Sequence, residues 1–189
     1  MIGVIFASKF ARDCTLSIHP DHMKHFKSFF FLLIAVTVLA FSTSAQSSLA
    51  KIGGGNVDVQ GQNGKVVVLA FGAKWLALSP KQVEYTNLLA KRYTGKNVAI
   101  YYVFTDSLNQ KSKNYATDEI LSTFATDSKL TVPVLRDPDG VLMKKLRVDQ
   151  LPSFVVIDKN GSVSGDAFGG IDPKFDITVP ISKRIDSLL

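Results

Sequence analysis

The chain has 189 residues, with 22 Lys and Arg against 16 Asp and Glu, giving a formal net charge of +6. The length fits one domain with a short appendage, and 46% hydrophobic with 20% charged residues argues against a disordered or fibrous chain. The only cysteine, Cys14, and the three histidines, His19, His22 and His25, all precede residue 26. If the N-terminal stretch is removed, no thiol and no imidazole remain, which excludes a Cys-Xaa-Xaa-Cys pair, a Cys/His zinc site, a Ser-His-Asp triad and a structural disulfide.

In chain order, a basic opening (Met23, Lys24, His25, Phe26, Lys27) precedes an uncharged apolar run over residues 29–41. Small residues then follow, with Thr43 and Ala45 placed as for signal-peptidase cleavage. This is the layout of a secretory signal peptide over residues 23–45. A membrane-spanning helix needs about 20 apolar residues, so cleavage is favoured over anchoring. The expected location is exported, periplasmic or secreted, with membrane contact only through an uncleaved leader. Residues 1–22 sit oddly ahead of such a signal and read as an over-extended start. Removal through Ala45 leaves 144 residues with a net charge of +4. The basic residues are scattered, and the densest cluster (Lys144, Lys145, Arg147) reads as a solvated helix face. No basic stripe with interleaved aromatics is present, so no nucleic-acid partner is expected.

Residues 46–64 are polar and contain Gly53-Gly54-Gly55, which predicts a linker with one short lead-in strand at 57–59. The domain proper is expected over residues 65–189. Residues 66–71 (VVVLAF) are apolar without alternation, as in a strand covered on both faces. Ser79-Pro80-Lys81-Gln82 reads as a helix start, with Ser79 as the cap and Gln82 completing a capping box. Tyr85, Leu88 and Leu89 continue at helical spacing, and Gly95 is the expected stop. Residues 98–104 (VAIYYVF) predict a second strand. Thr117-Asp118-Glu119 opens a second helix, with Ile120, Leu121, Phe124 and Ala125 as its buried side. Residues 133–135 are a short extended piece, residues 137–140 a turn, and residues 141–146 one or two helical turns. Residues 153–157 form a third strand. A hairpin at Asn160-Gly161 and a returning strand at 162–168 follow, and residues 180–189 predict a last helix. The expected fold class is α/β, one mixed sheet with helices on both faces.

Two strings narrow this further. The first runs Gly64-Lys65, an apolar strand, then Phe71-Gly72-Ala73-Lys74-Trp75. The second runs Val132-Pro133 through Asp137-Pro138-Asp139-Gly140 to Leu151-Pro152-Ser153 and Ile157-Asp158-Lys159-Asn160-Gly161. In this order the chain resembles the thioredoxin-like fold, and within it the TlpA-type and alkyl hydroperoxide reductase/thiol-specific antioxidant (redoxin) group. The resemblance covers residues 57–170. It implies a cis bond before Pro152 and thiol-disulfide or peroxide chemistry at a Cys-Xaa-Xaa-Cys following Trp75. Here that stretch is Leu76-Ala77-Leu78-Ser79. Leu76 stands for the nucleophilic cysteine and Ser79 for the resolving one. Leucine has nothing to ionise, and both chemistries need a thiolate.

The other candidates have simpler readings. Ser79 as a nucleophile lacks a histidine base, with only Lys74 and Lys81 near in sequence. Asp137 and Asp139 lack the further calcium ligands of an EF-hand, since Val141 and Val148 stand there. The 61–65 segment is superficially similar to a phosphate loop but has the wrong spacing. Asn160-Gly161-Ser162 is a glycosylation sequon that the hairpin turn already explains. No cofactor and no metal are expected. What the family's fold would leave is main-chain recognition of an extended chain beside Pro152. The expected groove is Trp75, Leu76, Leu78, Leu151 and Pro152, with exposure or inward packing of these side chains left open. The expected partner is an extended polypeptide or a partner protein. The rivals are a thiol-disulfide or peroxiredoxin-type enzyme and a structural domain of an envelope assembly.

Overall fold

The structure is a computed structural model in which residues 47–172 and 174–189 are described. The expected leader and the residues ahead of it lie outside the described residues. Among the described residues the elements are β1 (Ser48–Lys51), β2 (Asn56–Asp58), β3 (Val66–Gly72), α1 (Ser79–Arg92), β4 (Val98–Phe104), α2 (Asp118–Asp127), β5 (Val134–Arg136), α3 (Val141–Lys145), β6 (Ser153–Ile157), β7 (Phe168–Gly169) and α4 (Thr178–Asp186). They form one mixed sheet of order β2-β1-β5-β4-β3-β6-β7. β3 runs parallel to β4 and antiparallel to β6.

All seven residues of β3 are buried. Their side chains alternate between two cores, as the twofold period of a strand requires. Val66, Val68 and Ala70 meet Val83, Leu89, Leu121, Ile181 and Ile185, which come from α1, α2 and α4. Val67, Leu69 and Phe71 meet Leu142 and Leu146 around α3, with Leu49 and Val59 of the lead-in. Helices therefore cover both faces, and the unbroken apolar run in the sequence has this as its cause.

The lead-in is more ordered than its composition suggests. β1 pairs with both β2 and β5. Its four residues bury only Leu49, so backbone pairing holds it and side-chain pattern gives little signal. Ile120 also departs from expectation. It is 41% exposed, while Leu121 is the buried residue of α2 and Phe124 and Ala125 are half-buried. The Thr117 hydroxyl does cap α2, accepting from the Ile120 amide at 3.3 Å.

Helices α2 and α3 end alike. The Leu130 amide donates to Ala125 O and the Lys129 amide to Thr126 O; the Val148 amide donates to Met143 O and the Arg147 amide to Lys144 O. Each is a Schellman closure. The left-handed position is held by Lys129 (φ 56) and Arg147 (φ 57), where glycine would be favoured.

The expected returning strand at 162–168 is only partly formed. Ile157 pairs with Val163 in an isolated bridge, and Phe154 pairs with Phe168 in β7. The four residues 154–157 of β6 thus face the six residues 163–168 of the edge segment, which bulges. The Arg184 guanidinium fills the bulge, donating to Ser164 O at 2.9 Å and Asp166 O at 2.6 Å. It also lies 4.0 Å from the Phe168 ring centre.

The Asn160-Gly161 turn docks onto the lead-in. Asp158 Oδ1 accepts from the Asn160 and Ser162 amides, both at 2.9 Å. Gln60 Nε2 donates to Gly161 O at 3.0 Å. Gly161 has φ +81, and a Cβ there would collide with the Gln60 carbonyl oxygen. Gly161→Ala is therefore expected to cost about 2 kcal/mol, measured as a lower midpoint in urea unfolding.

Candidate functional site

The site lies where β3 ends, α1 begins and β6 begins. The register pairs Phe71 with Ser153, so Gly72 stands opposite Pro152 at the next step. The Leu151–Pro152 bond is cis. Ala73 is buried, and the chain then turns outward through Lys74 and Trp75, which is 53% exposed. The Leu76 amide donates to Ala73 O at 3.2 Å, and the Ser79 amide to Leu76 O at 3.1 Å.

Ser79 does not cap α1. It is the first helical residue, Leu78 occupies the cap position, and no side chain caps the helix. The Ser79 hydroxyl is fully buried and donates to Ala73 O at 2.5 Å. Gln82 likewise completes no capping box. Its side chain turns inward, and Nε2 donates to Phe71 O at 2.9 Å and Ser153 O at 3.2 Å. The Tyr102 hydroxyl donates to Gln82 Oε1 at 2.9 Å. Burial pushes the Tyr102 phenol well above its usual value, and the neighbouring Ser79 hydroxyl opposes that rise. Gly72 is required here, because a Cβ would collide with Gln82 Oε1 and the Tyr102 oxygen.

A second polar group lies beneath the exposed loop. Asp106, 1% exposed, follows β4 and accepts from the Lys74 amide at 3.0 Å. Burial raises its carboxyl above the ordinary value; the Lys74 amide, the Lys74 charge and the Arg136 charge oppose this without cancelling it. Arg136, on β5, is buried. It donates to Asp118 Oδ1 at 2.6 Å, Asp106 O at 2.9 Å and Ala116 O at 3.0 Å. These bonds fasten the ends of the 106–118 connection to the sheet.

The five groove residues expected from sequence are placed unequally. Trp75 is exposed, Leu76 and Leu78 are half-buried, Leu151 is half-buried and Pro152 is buried. Leu78 packs on the core shared by α1, α2 and α4. Leu151 packs on the core of the opposite sheet face. Sequence reasoning did not assign Tyr102, Asp106 or Arg136 to the site, and it gave Gln82 a capping role instead. The signals were present but weak: a tyrosine inside an apolar strand, and single charges at strand ends. Asp137, weighed as a calcium ligand, spends both oxygens on α3, accepting from the Leu142 amide at 3.2 Å and the Met143 amide at 2.8 Å. Among the described residues no group of three His, Cys, Asp or Glu side chains gathers as metal ligands.

A sheet of this order, with helices on both faces and a cis proline facing the start of α1, is a thioredoxin-like fold. The AhpC/TSA family model matches residues 37–165, about two thirds of the chain, and the chain belongs to that family. It is similar to the thiol-disulfide oxidoreductase ResA of Bacillus thuringiensis subsp. konkukian, 30% identical over 110 residues, covering 58% of each chain. It is 28% identical over 116 residues to ResA of Bacillus anthracis, covering 61% of this chain and 62% of that one. The chain thus spans about three fifths of the length of the curated relatives it matches.

Three solved structures share the fold. A Chlorobium tepidum protein described as a thiol:disulfide interchange protein DsbE has TM-score 0.62 and 22% identity, covering 75% of this chain and 91% of that one. A thioredoxin-like protein from Aeropyrum pernix has TM-score 0.59 and 18% identity, covering 89% and 98%. The exposed lipoprotein thioredoxin Etrx1 of Streptococcus pneumoniae has TM-score 0.57 and 24% identity, covering 75% and 98%.

Two outcomes test this geometry. Tyr102→Phe leaves Gln82 Oε1 buried without its donor, and a loss of about 2 kcal/mol in urea unfolding is expected. Asp106 has a raised folded value, so the stability it contributes is complete below its ordinary value of 3.8 and is lost as pH climbs through the raised one. Asp106→Asn should therefore gain on the parent as pH climbs above 3.8 in paired unfolding curves.

Proposed function

We propose that the chain is an exported thioredoxin-fold protein whose redox site is degenerate, and that it binds an extended polypeptide or a partner protein. The observation that supports this is the pair Leu76 and Ser79. They follow Trp75 where the resemblance to the family places its two cysteines. Thiol-disulfide exchange and peroxide reduction both begin with a thiolate. Leu76 has no ionisable group. The Ser79 hydroxyl is buried and committed to the Ala73 carbonyl. Cys14 departs with the leader once cleavage follows Ala45.

Recognition can outlast the chemistry. Main-chain pairing with an extended segment needs no sulfur. Trp75, an exposed aromatic beside the start of α1, is a natural anchor for such a partner. Export rests on the basic, apolar and small-residue succession before Gln46. It agrees with the description of the pneumococcal relative as an exposed lipoprotein. Among the described residues no helix is long and apolar enough to cross a membrane.

The name carried by the ResA relatives favours a second reading, in which the chain takes part in a thiol-disulfide reaction whose cysteines come from a partner. Insulin reduction with dithiothreitol, and peroxide consumption with a thiol donor, separate the two. Rates equal to the protein-free background are expected, and turnover by the chain alone would overturn the degenerate-site reading. The double variant Leu76→Cys with Ser79→Cys should then reduce insulin at least about tenfold faster than the parent, because the helix start favours a thiolate.

A further inference from the structure

A concave site lies beside the bulged sheet edge. It is a cleft of about 600 Å³ between the end of α3 and the bulged edge segment. That volume lies within the range of ligand-binding pockets. Lys145 and Arg147 give it two cations, and Asp149 and Asp166 two carboxylates; Gln150 and Val163 complete the part of the wall that matters here. None of the four charged side chains is in an ion pair within 4 Å, and none makes a side-chain hydrogen bond, among the described residues. Lys145 also acts at longer range on Asp58.

The edge backbone is open at the same place. The Asp158 amide donates to Ser162 O, and the Ser164 amide to Val156 O, both at 2.8 Å. Those two bonds flank the Ile157–Val163 bridge, so this is the non-hydrogen-bonded kind of antiparallel pair. The N–H and C=O of Val163 therefore point away from β6, and neither is bonded within the described residues. Val163 is itself 38% exposed. A free donor and a free acceptor on Val163, a residue of the cleft wall, thus stand beside unpaired charges of both signs.

We propose that this cleft binds a short extended peptide segment of mixed charge. Its main chain pairs with the Val163 N–H and C=O. An acidic side chain of the guest meets Lys145 and Arg147, and a basic one meets Asp149 and Asp166. A single main-chain rung and exposed ion pairs make the binding weak and salt-sensitive. The proposal rests on this cleft and not on the Trp75 face.

Arg147 gives the sharpest test, because its replacement does not threaten the fold. Arg147→Gly relieves the left-handed position and should be at least as stable as the parent. The probe is an end-capped pentapeptide with lysine at one end, glutamate at the other and β-branched residues between; the control carries serine at both ends. Amide NMR titration of the full chain reads binding at Val163 and Gln150, and the Trp75 indole signal reads the other face. The charged peptide should shift Val163 and Gln150 while leaving the indole unmoved. Arg147→Gly, and Asp149→Asn with Asp166→Asn, should each weaken binding roughly threefold or more. The proposal fails if Val163 does not shift up to about 5 mM peptide. It also fails if the serine control binds equally well, or if only the indole responds. The last result would support the Trp75 face while removing this cleft.

Discussion

The Gln82 carboxamide holds the site together. One side chain from the first turn of α1 donates to the ends of two neighbouring strands, at Phe71 O and Ser153 O, and accepts from Tyr102. Both functions of the amide are used, in a fully buried place where an unmade bond would cost heavily. Helix, central strand and the strand after the cis proline are thereby fixed to one another without a charge. Gly72 follows from the same constraint, since only a residue without a side chain leaves room for that contact.

The sequence carried much of the fold. Runs such as 66–71, 98–104 and 153–157 point to strands because short, continuous, β-branched and aromatic apolar character suits a doubly covered sheet. What it concealed has a physical cause in each instance. β1 is held by backbone pairing, which leaves no side-chain periodicity to read. The edge after Asn160-Gly161 bulges because a distant side chain, Arg184, occupies carbonyls that a regular strand would have used. Ser79 and Gln82 had the spacing of a capping box, yet local spacing cannot reveal that both side chains turn inward to meet Ala73, Phe71 and Ser153. The expected groove residues came from resemblance to a family pattern. That Leu78 and Leu151 pack on opposite sheet faces required the third dimension.

Membership in the AhpC/TSA family and similarity to ResA describe a scaffold built around sulfur chemistry. In this chain the loop that would carry it is occupied otherwise. Its amide at Lys74 is held by Asp106 and its hydroxyl at Ser79 by Ala73. Under the loop Tyr102 donates to Gln82 and Asp106 accepts from the Lys74 amide, while Trp75 is exposed above them. On the function proposed above, the support keeps its shape without that reaction.

The Arg184 guanidinium has a further consequence for the chain in crowded surroundings. Open sheet edges invite unlimited stacking of identical molecules. By plugging the bulge with a fixed cation, Arg184 shortens the available rail to little more than the stretch around Val163. A short and crooked margin of this kind disfavours edge-to-edge pairing between copies.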